Sequence, residues 1–102
     1  FNLDRGNAIA ERWAQIPQDT NVLITHGPPA GILDKIISLT GTERPGCEDL
    51  AQRVAELSLK LHVFGHIHED HGQEQIGDRL SVNASTCTGS YKPLNPPIVI
   101  DL

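Results

Sequence analysis

The first apolar residues of the chain recur with helical spacing. Ile9, Trp13 and Ile16 stand at positions i, i+4 and i+7, which lie on one face of an α-helix. Pro17 disfavours helical geometry at the residue before it and should end the helix. The pattern predicts a helix over Asp4–Gln15, with its first residue as N-cap and with Trp13 packed in the core.

Two short apolar runs predict strands of a parallel sheet. Val22–Thr25 and Leu61–Phe64 are runs of aliphatic, β-branched and aromatic side chains, interrupted in the second run by His62. Such runs suit strands that are buried on both faces. We therefore expect both segments to lie inside one sheet.

The segment between these runs has the pattern of an amphipathic helix. Its apolar residues fall at i, i+3, i+7 and i+10 and share one face: Cys47, Leu50, Val54 and Leu57. Glu48 and Asp49 place negative charge in the first turn, where the helix macrodipole favours it. A strand–helix–strand unit crosses over with right-handed sense, so the two strands should be parallel neighbours.

The rest of the chain predicts a hairpin and a last strand. The dipeptide Gly77-Asp78 is a two-residue hairpin signal between Glu74–Ile76 and Leu80–Asn83, and Ile98–Asp101 has the composition of a strand. Residues 30–45 leave two possibilities open, a helical turn or a flap over a site. We expect an α/β fold with the order helix, strand, helix, strand, hairpin and final strand.

Histidines follow both predicted parallel strands. His26 comes after the first strand and precedes a Gly-Pro-Pro loop, and Gly65, His66 and His68 come after the second. Ligands of open α/β sheets bind at the carboxyl ends of the strands. Residues i and i+2 of an extended chain point to one side, and Gly65 would let the strand bend sharply there. We therefore expect His26, His66 and His68 to converge at one edge of the sheet.

Three other side chains near this edge have less specific patterns. His62 lies in the middle of its strand and should pack there or face a helix. His71 belongs to a polar loop and should lie on the surface. Tyr91 is either a packing residue or part of a pocket wall, and the sequence leaves both open.

The composition bears on partners and on location. The net charge is −5, with 38% hydrophobic and 21% charged residues, and no basic cluster is present to neutralise the phosphates of a nucleic acid. No apolar run reaches the roughly 18–20 residues of a membrane span, and no signal peptide is visible. Cys47 and Cys87 lack CxxC spacing, which favours two reduced thiols of a cytoplasmic protein over a disulfide. The chain starts at Phe1 and contains no Met, so we expect a fragment, a processed chain or an incomplete reading frame.

Three imidazoles at one edge are compatible with more than one kind of metal site. With an open position for water, they could hold a single zinc ion in a hydrolytic centre. They could equally belong to a two-metal site, with ions about 3.5–4 Å apart that clamp a phosphoryl group. No Asp or Glu is obviously placed to bridge two ions. The histidines do not name the metal, and a purely structural role for them also stays open.

Four motifs follow one another in a recognisable order. They are Leu23-Ile24-Thr25-His26-Gly27-Pro28-Pro29, Gly46-Cys47-Glu48-Asp49-Leu50, Val63-Phe64-Gly65-His66-Ile67-His68-Glu69 and Asn83-Ala84-Ser85-Thr86-Cys87. Together with the segment Asn95–Asp101, this order resembles the calcineurin-like metallophosphoesterase superfamily over essentially the whole chain. In detail it resembles the metallophosphoesterase-domain-containing (239AB-type) phosphodiesterases and their bacterial relatives.

The resemblance implies half of an α/β sandwich with a two-metal site at the strand tips. In that family the histidine of the Gly-His pair and the first histidine of Gly-His-x-His bind one metal, and the second histidine of that motif binds the other. Carried over, His26 and His66 would hold one ion and His68 the other. The ions, drawn from Mn, Fe, Zn or Mg, would support hydrolysis of phosphate esters, including cyclic nucleotides, by a metal-bound hydroxide.

The sequence departs from the family in one large respect. The family motifs Asp-x-His, Gly-Asp-x-x-Asp and Gly-Asn-His, which supply the bridging aspartate and the phosphate-binding residues, do not occur here. Gly6-Asn7 matches the start of Gly-Asn-His but is followed by Ala8, and Gly77-Asp78 comes after the histidine motif in a predicted hairpin. The chain therefore resembles the C-terminal half of such an enzyme as a single partial domain, 1–102, which we expect to be inactive by itself.

Two alternatives to this interpretation stay open. The chain could be a stand-alone half-domain that forms homo-oligomers through an exposed sheet edge and binds metal without catalysis. It could also be a mononuclear zinc enzyme with three histidine ligands.

Overall fold

A four-stranded sheet and two helices form the centre of the computed structural model, which describes residues 3–102. Helix α1 spans Asn7–Ala14 and helix α2 spans Glu48–Glu56. The strands are β1 (Val22–Ile24), β2 (Ile36–Ser38), β3 (Gly41–Glu43), β4 (Leu61–Phe64), β5 (Gly72–Ile76) and β6 (Arg79–Asn83). A short 3-10 helix spans His68–Asp70. The expected α/β class and the order from the first helix to the hairpin are confirmed.

The main sheet has the strand order β1-β4-β6-β5. β4 pairs in parallel with both β1 and β6, while β5 and β6 form the predicted antiparallel hairpin around Gly77-Asp78. The parallel pairing of β1 with β4 agrees with the crossover through α2. Consequently the carboxyl ends of β1, β4 and β6 all lie at one edge of the sheet.

The hydrophobic core lies where α2 contacts the sheet and α1. Its fully buried centre consists of Leu50, Val54, Leu57 and Leu59, with Trp13, Ile16, Leu23 and Cys47 packed around it. The apolar face predicted for α2 is therefore the face that the helix buries. Arg53 holds the end of α1 to α2, because its guanidinium donates to the carbonyls of Trp13 and Ile16 at 3.1 and 2.6 Å.

The start of α1 differs from the prediction. The helix begins at Asn7 with Gly6 as N-cap, so the assignment of Asp4 as the cap is wrong. Gly6 has a φ of 93°, in the left-handed region that glycine tolerates best. Its N–H donates to the Asp49 carboxylate at 3.0 Å. The turn at Gly6 thus separates Asp4 from the helix and ties the chain to the first turn of α2.

β1 is less buried than its apolar run predicts. Val22 is 42% exposed and Ile24 is 76% exposed, so the expectation of a strand buried on both faces is wrong for this strand. β1 lies at the edge of the sheet, and only Leu23 faces the core. In contrast, β4 lies between two strands and is almost completely buried.

The predicted last strand is also wrong. Ile98–Asp101 has no regular secondary structure and pairs with no strand of the described residues. A strand requires a partner for its backbone groups, and none of the described strands pairs with this segment. Its Val99 side chain is 88% exposed.

The region that the sequence left open forms a small hairpin. β2 and β3 pair antiparallel between Ile36 and Glu43, which excludes the helical turn there. The backbone N–H of Lys35 donates to the Asp70 carboxylate at 2.9 Å, so the base of the hairpin is tied to the 3-10 helix.

No helix among residues 3–102 is long and apolar enough to cross a membrane.

Candidate metal centre

The backbones of β1 and β4 remain paired beyond the last residues of the strands. The N–H of Thr25 donates to the carbonyl of Val63, and the N–H of Gly65 donates to the carbonyl of His26, both at 3.0 Å. These two bonds place His26 next to the residue that precedes His66. The two imidazole rings lie with centroids 4.7 Å apart and planes inclined by 43°.

A three-residue turn aims the His66 side chain. The Ile67 N–H donates to the carbonyl of Gly65 at 2.8 Å, and His66 between them has a φ of 71°. This is the γ-turn with positive φ, a rare and strained conformation for a residue with a side chain. We expected Gly65 to provide the bend, but Gly65 keeps an ordinary φ and the left-handed residue is the histidine itself.

The backbone that carries the two histidines of the Gly-His-x-His motif is bent. An extended chain would point His66 and His68 to the same side, but the chain is not extended at His66. His68 begins the 3-10 helix, and its ring lies edge-on to Tyr91 with centroids 5.3 Å apart. Tyr91 is therefore a packing partner of His68, and it too has a positive φ, of 61°.

His26 and His66 form the part of the predicted ligand set that the structure brings together. Both side chains are exposed, and neither ring has a hydrogen-bond partner among residues 3–102. Within that range no group of three or more His, Cys, Asp or Glu side chains is close enough to hold one ion. Two imidazoles fit a borderline divalent metal and supply half of a tetrahedral zinc shell. The complete set of His26, His66 and His68 stays a prediction.

A buried amide supports the turn that carries these histidines. Asn83, at the end of β6, is fully buried. Its Nδ2 donates to the carbonyls of Ile67 and Leu33 at 2.8 and 3.1 Å, and its Oδ1 accepts from the backbone and the hydroxyl of Ser85 at 3.1 and 2.7 Å. Residue patterns did not reveal this role, and Asn83 was noticed only through the family resemblance of its motif.

A buried carboxylate organises the loop that follows His26. Asp34 accepts from the backbone N–H groups of Gly31 and Gly46, both at 3.0 Å, and pairs with Arg44 at 3.0 Å. Gly46 lies so close to Pro29 that an added Cβ would be 2.5 Å from its carbonyl oxygen. The loop after His26 is therefore held firmly against the start of α2. Sequence reasoning missed Asp34, since a single Asp in an ambiguous loop carries no pattern.

A cavity of about 390 Å³ opens beside the two histidines. Its apolar lining includes Ile9, Trp13, Ile36 and Leu50, and His26 and His66 belong to its wall. The site thus combines two exposed imidazoles with an adjacent apolar surface.

The remaining histidines lie outside this pair. His62 is fully buried in β4, as its mid-strand position predicts, with its Nε2 2.9 Å from the hydroxyl of Thr25. Burial and, to a lesser degree, the charge of Arg79 lower the pKa of His62 to about 4. His71 lies 3.2 Å from the carbonyl of Pro96 through its Nε2, at an exposed contact.

Comparison with known proteins finds similar sequences over the whole length of the chain. The chain is 50% identical over 103 aligned residues to "Metallophosphoesterase domain-containing protein 1" of Homo sapiens, and equally to that of Mus musculus. It is 42% identical over 99 residues to "UPF0046 protein K07C11.7" of Caenorhabditis elegans. No family model matches the chain.

These alignments cover unequal shares of the two partners. They include 100% of this chain for the human and mouse proteins and 97% for the nematode protein. The chain spans only about a third of the relatives, 31% of the mammalian proteins and 33% of the nematode protein. This partial coverage is consistent with the C-terminal half of a metallophosphoesterase.

Proposed function

Because this chain is related over its whole length to metallophosphoesterase domain-containing proteins, we propose that it is the C-terminal part of a metal-dependent phosphoesterase. The observation that carries the proposal is the His26–His66 pair, whose rings lie 4.7 Å apart at the carboxyl ends of two parallel strands. Strand tips are where open α/β sheets bind ligands. The strained φ of 71° at His66 adds support, because such backbone strain concentrates at functional sites.

The three histidines are divided between two metal ions in this proposal. His26 and His66 bind one divalent ion through their neutral imidazoles, and His68 serves a second ion. A divalent ion at this position supplies Lewis-acid activation of water and of a phosphoryl oxygen. The Tyr91 ring packed against His68 limits the orientations that this imidazole can take.

Two carboxylates of the loops that follow the strands are already engaged in hydrogen bonds, which bears on what the chain does by itself. Asp34 is buried with three hydrogen-bond donors around it, and Asp70 accepts from the Lys35 N–H. Two metal ions that share a phosphoryl group need a bridging ligand, and neither group is free for that task. The 102 residues should therefore bind metal weakly and hydrolyse phosphate esters little or not at all.

The substrate class follows from the metal chemistry and the site. We propose a phosphate mono- or diester, with cyclic nucleotides among the candidates, hydrolysed in the cytoplasm by the complete domain. The divalent ions would offset the negative charge of both the substrate and a chain whose net charge is −5. The apolar wall formed by Trp13, Ile36 and Leu50 suits the organic part of such an ester.

Metal binding can be tested on the chain as it stands. Zinc or manganese is titrated into the wild type and into His26→Ala, His66→Ala and His71→Ala, and the imidazole resonances are followed by NMR. We expect His26 and His66 to shift together and either alanine variant to lose the response. His71→Ala is the matched control and should bind as the wild type does. A wild type whose His26 and His66 resonances ignore both metals would contradict the proposal.

Catalysis requires a second experiment. A chimera is made in which this chain replaces the corresponding third of the human relative, and hydrolysis of bis(p-nitrophenyl) phosphate is measured with added Mn²⁺. We expect the chimera to hydrolyse the ester, His66→Ala in the chimera to abolish turnover, and the 102-residue chain to be inactive. Efficient turnover by the short chain would disprove the claim that it is inactive by itself.

One observation favours a second candidate, a homo-oligomeric metal-binding domain without catalysis. β1 is an uncovered edge strand on which Ile24 is 76% exposed, and exposed apolar edges invite pairing with another copy. Sedimentation equilibrium at micromolar concentration decides between the possibilities. A dimer that Ile24→Lys dissociates would support this candidate, and a monomeric wild type would remove it.

A further inference from the structure

Three residues form a chain of hydrogen bonds behind His26. The hydroxyl of Thr25 donates to the carbonyl of Gly27 at 2.8 Å, and the same Oγ1 lies 2.9 Å from Nε2 of His62. Thr25 and Gly27 are the two residues that flank His26. The contact with His62 joins this short turn to the interior of β4, the strand that also carries His66.

The geometry determines which atom donates in each bond. A carbonyl oxygen only accepts, so the single hydroxyl proton of Thr25 points to Gly27. The bond between Thr25 and His62 must then be donated by the Nε2–H of the imidazole. His62 is therefore the neutral tautomer that carries its proton on Nε2 and a bare lone pair on Nδ1.

This arrangement is unfavourable for an imidazole that only fills space. His62 is fully buried, and its Nδ1 has no hydrogen-bond partner among residues 3–102. A buried polar atom without a partner lowers stability, so an apolar side chain would suit mere packing better. Phe64 holds the ring edge-on with centroids 4.9 Å apart, which orients Nε2 toward Thr25. Burial and, to a lesser degree, the charge of Arg79 keep the ring neutral by lowering its pKa to about 4.

We propose that His62 is a positioning residue for His26: its Nε2–H orients the Thr25 hydroxyl, and the Thr25–Gly27 bond fixes the turn from which the His26 imidazole projects. Supporting groups behind a ligating histidine commonly set its direction and strengthen the site. The inference rests on the proposed function only in naming His26 as a metal ligand, because the chain of hydrogen bonds exists without a metal.

The tautomer and the ring geometry are tested first, without metal. Imidazole ¹⁵N spectra of the 102-residue chain report which nitrogen of His62 carries the proton, and cross-relaxation reports the approach of the His26 and His66 rings. We expect a protonated Nε2 in the wild type and close rings in the wild type and in His62→Gln, whose amide N–H₂ can donate to Thr25. The ring contact should weaken in His62→Leu and in Thr25→Val, and persist in Thr25→Ser. A proton on Nδ1, or an unchanged ring contact in His62→Leu, overturns the proposal.

Zinc titration then measures the consequence for the metal. Loss of a supporting hydrogen bond weakens metal binding by about ten- to a hundredfold, so His62→Leu and Thr25→Val should each weaken zinc binding by about that factor. The double variant should be no weaker than either single one, because both break the same chain of contacts. Urea unfolding of every variant shows whether it is folded. Additive losses in the double variant, or an equal loss in His62→Gln, would reduce His62 to a structural residue.

The two proposals fail in different ways. The wild type could bind no zinc and still show the Nε2 tautomer and a ring contact that depends on His62. That outcome contradicts the metal site but supports the positioning role. If the wild type and His62→Leu bind zinc equally tightly, the metal site is supported and the positioning role of His62 is disproved.

Discussion

The side-chain amide of Asn83, at the end of β6, donates to the carbonyl of Ile67, 2.8 Å away in the Gly-His-x-His segment. This bond joins two segments that are 16 residues apart in sequence. It holds the residue between His66 and His68, immediately after the strained γ-turn. The fold therefore supports the candidate metal centre from a third strand, in addition to the two that carry its histidines.

Replacing Asn83 should destabilise the fold and the site together. Asn83→Ala leaves the buried carbonyl of Ile67 with a poorer partner and removes the acceptor of the Ser85 hydroxyl. Each buried group left unsatisfied costs about 1–3 kcal/mol, so we expect the free energy of unfolding to fall by about 2–3 kcal/mol. Urea unfolding measures it, with Gln52→Ala on the exposed side of α2 as control, expected within about 0.5 kcal/mol of wild type. Equal effects of both changes would refute the role given to Asn83.

Gly46 should tolerate no side chain. A Cβ there would lie 2.5 Å from the Pro29 carbonyl oxygen and 2.7 Å from the Asp34 carboxylate. Gly46→Ala forces the backbone to move. The free energy of unfolding should fall by about 1–3 kcal/mol, the range for overpacked sites, and by an amount near the upper end of that range. Gly27→Ala is the matched control, since its Cβ would meet the nearest atom of His66 at 3.9 Å. Thermal unfolding that ranks the two variants equally would contradict this description of the loop.

Cys47 should act as a helix cap rather than as a redox group. Its Sγ accepts from the backbone N–H of Leu50 and from the indole N–H of Trp13, both at 3.4 Å. Cys47→Ala should lower the free energy of unfolding by about 1 kcal/mol, the usual effect of losing an N-cap side chain. Cys47→Ser should keep most of that stability, because its hydroxyl can accept the same hydrogen bond. Chemical unfolding followed by Trp13 fluorescence measures both. If serine proved as damaging as alanine, capping would not be the role of this residue.

Stability should fall as the pH drops through the window set by His62. Its pKa is lowered from 6.5 to about 4, first by burial and then by the charge of Arg79. Between these values the unfolded chain binds a proton at this position and the folded chain does not. Unfolding therefore becomes easier as the pH falls from 6.5 toward 4, by about 3 kcal/mol at most from this group.

The variant His62→Gln isolates that contribution from those of the other histidines. Urea unfolding is measured at pH 7 and pH 4.5 for the wild type and the variant, and the wild type should lose more stability between the two. Parallel pH dependences for both proteins would show that His62 does not titrate as described.

Local pattern predicted most of the regular structure. The α2 face of Leu50, Val54 and Leu57, the hairpin around Gly77-Asp78 and the parallel pairing of β1 with β4 all follow from periodicity, turn chemistry and crossover handedness. These signals are local, or depend on a handedness that every protein chain shares, so one sequence suffices to read them.

Predictions failed where a residue's environment comes from distant parts of the chain. The exposure of Ile24 depends on β1 being an edge strand, and Ile98–Asp101 finds no strand to pair with within residues 3–102. The cap at Gly6 depends on Asp49, which is 43 residues away. Patterns among residues that are close in sequence do not predict such long-range contacts.

Local patterns were enough to predict that histidines follow two neighbouring parallel strands, because apolar runs mark the strands and the right-handed crossover fixes their relative direction. Which of the histidines lie close together depends on contacts between distant segments. His26 reaches His66 because backbone hydrogen bonds continue past both strands, and beyond the γ-turn the ring of His68 packs edge-on against Tyr91. Side-chain direction at a strand tip is set by one or two dihedral angles, and those angles are held by contacts from remote segments, among them the amide of Asn83.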